Sequence, residues 1–287
     1  MKKLPVWLNQ EIPNEETFRL TAMLQESGVH TVCQEAHCPN VTHCFRNKLA
    51  TFMILGKACT RNCSFCAVQK TESGSLFVDS QEPRRIAEVV KTLGLNYVVI
   101  TSVTRDDLDD RGAGQFARAI ESIRAVNRDI KIEVLVPDFQ GNVSSLMLVL
   151  EARPYVLAHN IETVKRLYGE VRPQADYGRS IRVLSKAKEI NCAIITKSSL
   201  MLGMGETEEE VIGAMQDLRD HHCDYLTLGQ YLAPSDKHYP VKEFIHPEQF
   251  EEYRDIGIGL GFKAVFAGPK VRSSYHAQDL SRELRYA

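Results

Sequence analysis

TFMILGKACTRNCSFC, residues 51–66, joins an apolar run to three cysteines. Residues 51–55 read as a strand. Just beyond it stand Cys59, Cys63 and Cys66, with three and then two residues between them. A four-iron cluster is normally held by four thiolates. Three leave one iron with an open position for a substrate or cofactor, which marks a catalytic cluster rather than an electron store. The plainer readings are a zinc half-site and a redox Cys-x-x-Cys pair. Zinc wants four ligands, or three and a water, and no His lies within ten residues downstream of Cys66. A redox pair gives the third cysteine no role.

A second triplet lies upstream. Cys33, Cys38 and Cys44 are separated by gaps of four and five, so six of the eight cysteines fall between Cys33 and Cys66. Free cysteines are commonly buried as small apolar side chains, but packing does not explain two adjacent sets of three. Disulfides belong to oxidising compartments. MKKLPVWLNQ, at the N-terminus, has no apolar core of a secretion signal, so a cytoplasmic location is expected. Cys192, in the run CAII, is expected in the core. Cys223 stands beside His221 and His222, but adjacent side chains diverge on a helix or strand, so a structural role is expected there.

Around the cysteines, strands alternate with helices. Strand-like runs occupy 51–55, 97–103, 131–136, 155–158, 193–202 and 225–231. Helical patterns lie at 83–93, 115–126, 143–151, 178–189 and 206–219; Ile86, Val89, Val90 and Leu93 share one face of the first. Six strand–helix repeats imply an α/β fold with parallel strands and right-handed crossovers. Periodicity alone does not separate an open sheet from a barrel. In either, polar residues where strands end form the active rim. Here these are Thr101 to Asp107, Asn160, Glu162, Lys197 and Gln230. Arg105, Asp106 and Asp107 also suit a structural ion-pair network, and Glu206 to Glu210 a helix N-terminus.

The composition fits a large core. The 287 residues are 44 % hydrophobic with a formal charge of −2. That balance gives no electrostatic footprint for nucleic acid, and no apolar run reaches the roughly 20 residues of a membrane span.

The triplet with Phe65 before its last cysteine resembles the signature of the radical S-adenosylmethionine superfamily. TVCQEAHCPNVTHCF from Thr31, followed by ATFMILGKACTRNCSFC, resembles the lipoyl synthases more specifically. The likeness continues through VVITSVTRDDL from Val98, HNIETVKRLYGEVRPQADY from His159, TKSSLMLGMGETEEEV from Thr196 and GPKVRSSYHA from Gly268. It implies a partial (βα)6 TIM-type barrel over residues 51–240. An N-terminal extension, 1–50, would carry the upstream triplet, and a C-terminal extension, 241–287, the Arg-Ser-Ser-Tyr motif.

The resemblance also implies the chemistry. Two 4Fe–4S clusters are expected: one on Cys59, Cys63 and Cys66, binding S-adenosylmethionine at its open iron, and an auxiliary one on Cys33, Cys38, Cys44 and Ser274, with Ser273 as the neighbouring alternative. Phe65, Asn160, Glu162 and Lys197 are the expected S-adenosylmethionine contacts; turn hydrogen bonds or loop caps are the ordinary alternatives for these and the serines. Adenosyl radicals would take hydrogens from C6 and C8 of an octanoyl chain on a carrier-protein lysine, and the auxiliary cluster would yield two sulfurs. The implied partners are an octanoylated lipoyl domain (2-oxoacid dehydrogenase E2 or glycine cleavage H protein), an electron donor and an iron–sulfur carrier. Ala67, Ser199, Arg111 and Phe45 depart from the usual pattern but remove no ligand. Sulfur insertion into another substrate and a non-catalytic iron–sulfur scaffold are the rival functions.

Overall fold

The positions of the apolar runs decide where strands form, and short polar caps decide where helices start. The protein is described by a computed structural model, covering residues 4–71, 76–274 and 277–278. Its contacts divide it into two units. The first comprises Gln10–Arg61 and Ala67–Leu157; the second comprises Met1–Asn9, Asn62–Cys66 and Ala158–Ala287.

The first unit opens with α1 (Glu15–Glu26), β1 (His30–Thr31), α2 (Val32–Glu35) and α3 (Val41–Arg46). Next come β2 (Thr51–Ile54), β3 (Ala58–Cys59), β4 (Gln69–Lys70), α4 (Glu82–Leu93) and β5 (Tyr97–Ser102). Then follow α5 (Ala113–Val126), β6 (Lys131–Leu135), α6 (Val143–Glu151) and β7 (Val156–Ala158), whose last residue is counted with the second unit. β2 pairs in parallel with β5, and β5 with β6, while β1 lies antiparallel to β2. Strands covered on both faces need continuous apolar sequence, and all four residues of β2 are buried. Helix α4 has Pro83 in its first turn and ends on Gly94 in the left-handed region, φ 63°. Asn14 caps α1 and Asn142 caps α6 through their side chains.

The second unit holds α7 (Tyr168–Val171), α8 (Tyr177–Ile190), β8 (Ile195–Leu202) and α9 (Glu208–Asp220), then β9 (Tyr225–Gln230), α10 (Pro247–Gly259) and β10 (Ala264–Gly268). β8 pairs in parallel with β9, and β9 with β10. Thr207 and Glu210 form a reciprocal capping box at the start of α9. All six expected strands and five expected helices are present. α10 and β10 add one strand–helix step that the sequence pattern did not single out, inside the segment read as a C-terminal extension.

Gly229 in β9 has a packing reason. A Cβ there would sit 1.9 Å from the Val271 carbonyl oxygen. The backbone leading from β10 toward Ser274 therefore lies directly against β9, and only glycine admits it.

Two cysteine expectations separate. Cys223 is buried, its Sγ directed at the Tyr225 carbonyl (3.2 Å). Cys192 is exposed, which corrects the expected core position. α8 ends at Ile190 and β8 begins only at Ile195, so Cys192 falls in the intervening turn, where Asn191 accepts from the Ala193 N–H. Among the described residues, no helix is long and apolar enough to cross a membrane.

Candidate functional site

In the first unit, short helices gather the upstream cysteines. Thr31 caps α2 through its hydroxyl, which accepts from the Gln34 N–H. His37 then takes a left-handed conformation, φ 52°. This turns the chain so that the Cys38 N–H donates to the Cys33 carbonyl at 3.0 Å. Cys44 lies on α3, whose outer side is tied down by Glu11 through His43 and Arg46, each at 3.0 Å. Burial and the neighbouring Cys38 push the Cys33 thiol up to about 12. Cys44 is also raised, by burial and then by Cys33, Cys38 and Glu11. Neighbouring cysteines thus oppose the ionisation of Cys33 and of Cys44. A bound cation reverses that balance, since metal ligation deprotonates thiols outright. Three cysteines on two short neighbouring helices and the turn between them are the soft donors an iron–sulfur cluster takes. Among the described residues, no three His, Cys, Asp or Glu side chains converge on a single ion, whereas a four-iron cube takes separate ligands at separate irons.

Cys59 belongs to the same unit. It ends β3, and its carbonyl accepts from the Thr71 N–H at 3.0 Å. The Arg61 N–H donates to Cys59 Sγ at 3.5 Å. The Arg61 guanidinium forks onto Asp106 (2.7 and 2.9 Å) and reaches Asp138 at 2.5 Å. Burial would weaken its charge, but its hydrogen bonds to the two carboxylates outweigh that and hold its pKa above the usual range. Arg105 pairs with Asp107 instead (2.7 Å). The expected ion-pair network thus exists in two parts, and Arg61 and Asp138 had not been singled out. The available signal was Arg61's place inside the cysteine loop.

Cys63 and Cys66 are counted with the second unit. Ser64 anchors their loop: its N–H donates to the Val171 carbonyl (3.0 Å), its hydroxyl to the Glu170 carbonyl (2.9 Å), and its carbonyl accepts from the Tyr239 N–H (2.8 Å). Phe65, between them, is half-buried. Tyr231 is buried and donates to the Tyr239 carbonyl at 2.7 Å. Its pKa is raised by burial and by the charge of Cys66, which places the two side chains near each other.

The expected S-adenosylmethionine contacts lie in this unit too. Asn160 Nδ2 donates to Glu162 Oε1 at 3.1 Å, and Asn160 Oδ1 accepts from the Ser273 hydroxyl at 3.1 Å. Glu162 adopts φ 66° and bridges in parallel to Leu200 of β8. Burial raises its pKa, with Arg172 and Asn160 opposing. Arg172 donates to the Asn160 and Ile161 carbonyls, holding that turn. Lys197 is fully buried in β8, and its carbonyl accepts from the His159 N–H. Ser274 lies in the turn after β10, and its carbonyl accepts from the Ala277 N–H. Tyr275 of the motif lies outside the described residues. Gln230 is spent internally on the Leu202, Tyr231 and Glu243 carbonyls and the Ile245 N–H. Glu206 folds back to accept from the Gly203 and Met204 N–H groups.

Comparison with known proteins adds the following. Residues 53–218 match the Radical SAM superfamily. The chain is 54 % identical over 273 residues to a lipoyl synthase from Caldanaerobacter subterraneus subsp. tengcongensis, spanning 95 % of both chains. It is 53 % identical over 260 residues to a lipoyl synthase from Aquifex aeolicus, spanning 91 % of this chain and 94 % of that one. Among solved structures it resembles methylornithine synthase (PylB) with a TM-score of 0.54 and 13 % identity, over 96 % of this chain and 89 % of that one. It resembles HydG, a maturase of the FeFe-hydrogenase, with a TM-score of 0.58 and 15 % identity, over 90 % and 57 %. At such identities these structural likenesses bear on the fold alone.

Proposed function

The chain belongs to the lipoyl synthase family within the Radical SAM superfamily, and we propose that two sets of its own residues hold the two iron–sulfur clusters this membership brings. The activity is radical-mediated insertion of two sulfur atoms, at C6 and C8, into an octanoyl chain on a carrier-protein lysine. When bound, S-adenosylmethionine and one 4Fe–4S cluster supply the radical, and the auxiliary cluster supplies the sulfur.

Cys59, Cys63 and Cys66 hold the first cluster, leaving one iron open. Cys33, Cys38, Cys44 and Ser274 hold the auxiliary one. A serine oxygen is a harder ligand than a thiolate and makes the weakest corner of a cluster that must give up sulfur. Asn160, Glu162 and Lys197 orient the amino, carboxylate and ribose groups of S-adenosylmethionine, and Phe65 packs near its adenine. The half-buried Glu162, its carboxyl raised by desolvation, suits an amino-group partner, because a ligand cation relieves that cost. Residues 1–50 form the extension bearing the auxiliary triplet, 51–240 the barrel, and 241–287 the return that brings Ser274. The carrier is a 2-oxoacid dehydrogenase E2 or glycine cleavage H lipoyl domain, in the cytoplasm, with a reducing electron donor and an iron–sulfur carrier protein as further partners.

One observation carries this assignment: the Cys38 N–H closes onto the Cys33 carbonyl at 3.0 Å and Cys33 and Cys38 act on the Cys44 thiol, which supports a second iron–sulfur donor set in the N-terminal segment. Ser274→Ala tests it. The expected variant still forms 5′-deoxyadenosine from S-adenosylmethionine but does not thiolate the octanoyl chain. Full thiolation by that variant removes Ser274 from the ligand set.

A further inference from the structure

A buried cation stands inside the cysteine loop, and the chemistry above does not use it. Arg61 is 4 % exposed and Asp138 1 %. The Arg61 fork takes both oxygens of Asp106, just beyond β5, while the same guanidinium nitrogen Nη2 also reaches Asp138, beyond β6. Thr60 reinforces the attachment: its N–H and hydroxyl donate to the Thr104 carbonyl, each at 3.0 Å, and its oxygen accepts from the Asp106 N–H at 3.1 Å. The chain next to Cys59 is thus fixed to the ends of two strands by charged and neutral hydrogen bonds.

The geometry points to Arg61 as a positioning residue for the cluster ligand Cys59: its ion pairs with Asp106 and Asp138 fix the Thr60–Arg61 backbone so that the Arg61 N–H keeps donating to Cys59 Sγ. This rests on Cys59 being a cluster ligand. Hydrogen bonds to cluster sulfurs help set the reduction potential, and partners beyond the ligands orient them. An N–H donor favours the more negatively charged, reduced cluster, so a loosened donor makes the potential more negative. Arginine is specified because only its planar fork serves two carboxylates at once; lysine keeps the charge but not the geometry. A plain structural staple would support the fold without affecting Cys59 or the cluster's potential.

The test uses Arg61→Lys and the charge-balanced double variant Arg61→Gln/Asp138→Asn. In the cluster-free full chain, iodoacetamide labelling is followed site by site by mass spectrometry, alongside Tm. In the anaerobically reconstituted protein, the potential of the S-adenosylmethionine-binding cluster is titrated by electron paramagnetic resonance. The expected result is Cys59 alkylation slower by about tenfold, because the thiolate that reacts loses its N–H donor, the scale of one lost charge-assisted hydrogen bond, with Cys38 unchanged. The potential should fall by about 60 mV, a tenfold change for one electron. A lower Tm with wild-type Cys59 labelling and potential in the folded variants assigns a staple role and overturns the proposal. Separately, a Cys59→Ala chain that keeps full iron at that cluster and the wild-type spectrum removes Cys59 as a ligand; labelling in the cluster-free chain still reads the clamp, so the two failures are distinguishable.

Discussion

Gly229→Ala replaces one hydrogen by a methyl at a site where backbone, not a side chain, occupies the space. The new Cβ would lie 1.9 Å from the Val271 oxygen and 2.8 Å from its carbonyl carbon. Gly229 is not among the left-handed glycines, so backbone conformation does not oppose alanine; only the contact does. Ordinary contact begins at 3.4 Å, and the return segment must therefore retreat by about 1.5 Å. Overpacking of this kind costs about 1–3 kcal/mol, and each kcal/mol lowers Tm by roughly 2–4 °C in a domain of 150–250 residues. The segment carries Ser273, which donates to Asn160, and Ser274, the proposed auxiliary ligand. A misplacement near 1 Å can reduce a positioned reaction by about 100-fold. We expect calorimetry to show the lower Tm, with sulfur insertion falling by roughly 10- to 100-fold and 5′-deoxyadenosine release falling less. Gly213→Ala in α9 is the control, because nothing lies within 4 Å of the added carbon, and it should gain about 0.5–1 kcal/mol. Wild-type Tm and product yield in Gly229→Ala would refute the reasoning.

Three further outcomes follow from the contacts. Ser273→Ala removes the donor to Asn160 Oδ1 and should weaken S-adenosylmethionine binding by about 2- to 10-fold, on the scale of 0.5–1.5 kcal/mol for one hydrogen bond; equilibrium dialysis reads this. Burial alone would raise the carboxyl of Asp224, but Lys188 (2.5 Å), Lys263 (2.9 Å) and the Thr196 N–H outweigh it and hold the pKa below the ordinary value. A depressed carboxyl stabilises the fold above the unfolded value, near 3.9, and loses that contribution as pH falls through the folded one. Asp224→Asn should therefore cost about 3–5 kcal/mol at pH 7, with the gap to wild type narrowing below about pH 4 in denaturant titrations. Glu162 has the opposite sign: burial raises its carboxyl, so it weakens the ligand-free fold as pH rises through that value. Glu162→Gln should raise Tm at pH 8, with the gain fading in acid, while binding S-adenosylmethionine less well; an unchanged Tm would deny the burial penalty.

Fully buried strands and capped helices were the most legible elements, because their patterns are local. β5 reads directly from YVVITS, and α9 from its 206–219 pattern and the acidic run Glu206 to Glu210 at its start. β10 was not, because its five residues resemble any short apolar run until Tyr225 and Leu226 supply a pairing edge. Cys192 was misplaced because CAII is apolar as a string, whereas the strand begins after it. The cysteine triplets were legible by spacing. The Asp138 partner of Arg61 was not, because those residues are 77 positions apart and meet only through folding. The same holds for Ser273 and Asn160, 113 apart.

The most direct test labels the proposed auxiliary cluster. Protein reconstituted with isotopically heavy sulfide, then freed of unbound sulfide, is incubated anaerobically with S-adenosylmethionine, reductant and an octanoyl-lysine carrier. The account predicts a product carrying two heavy sulfur atoms, two 5′-deoxyadenosines per chain, and loss of both heavy sulfur and product in Cys44→Ala. A product carrying only light sulfur, or one formed unchanged by Cys44→Ala, would contradict it.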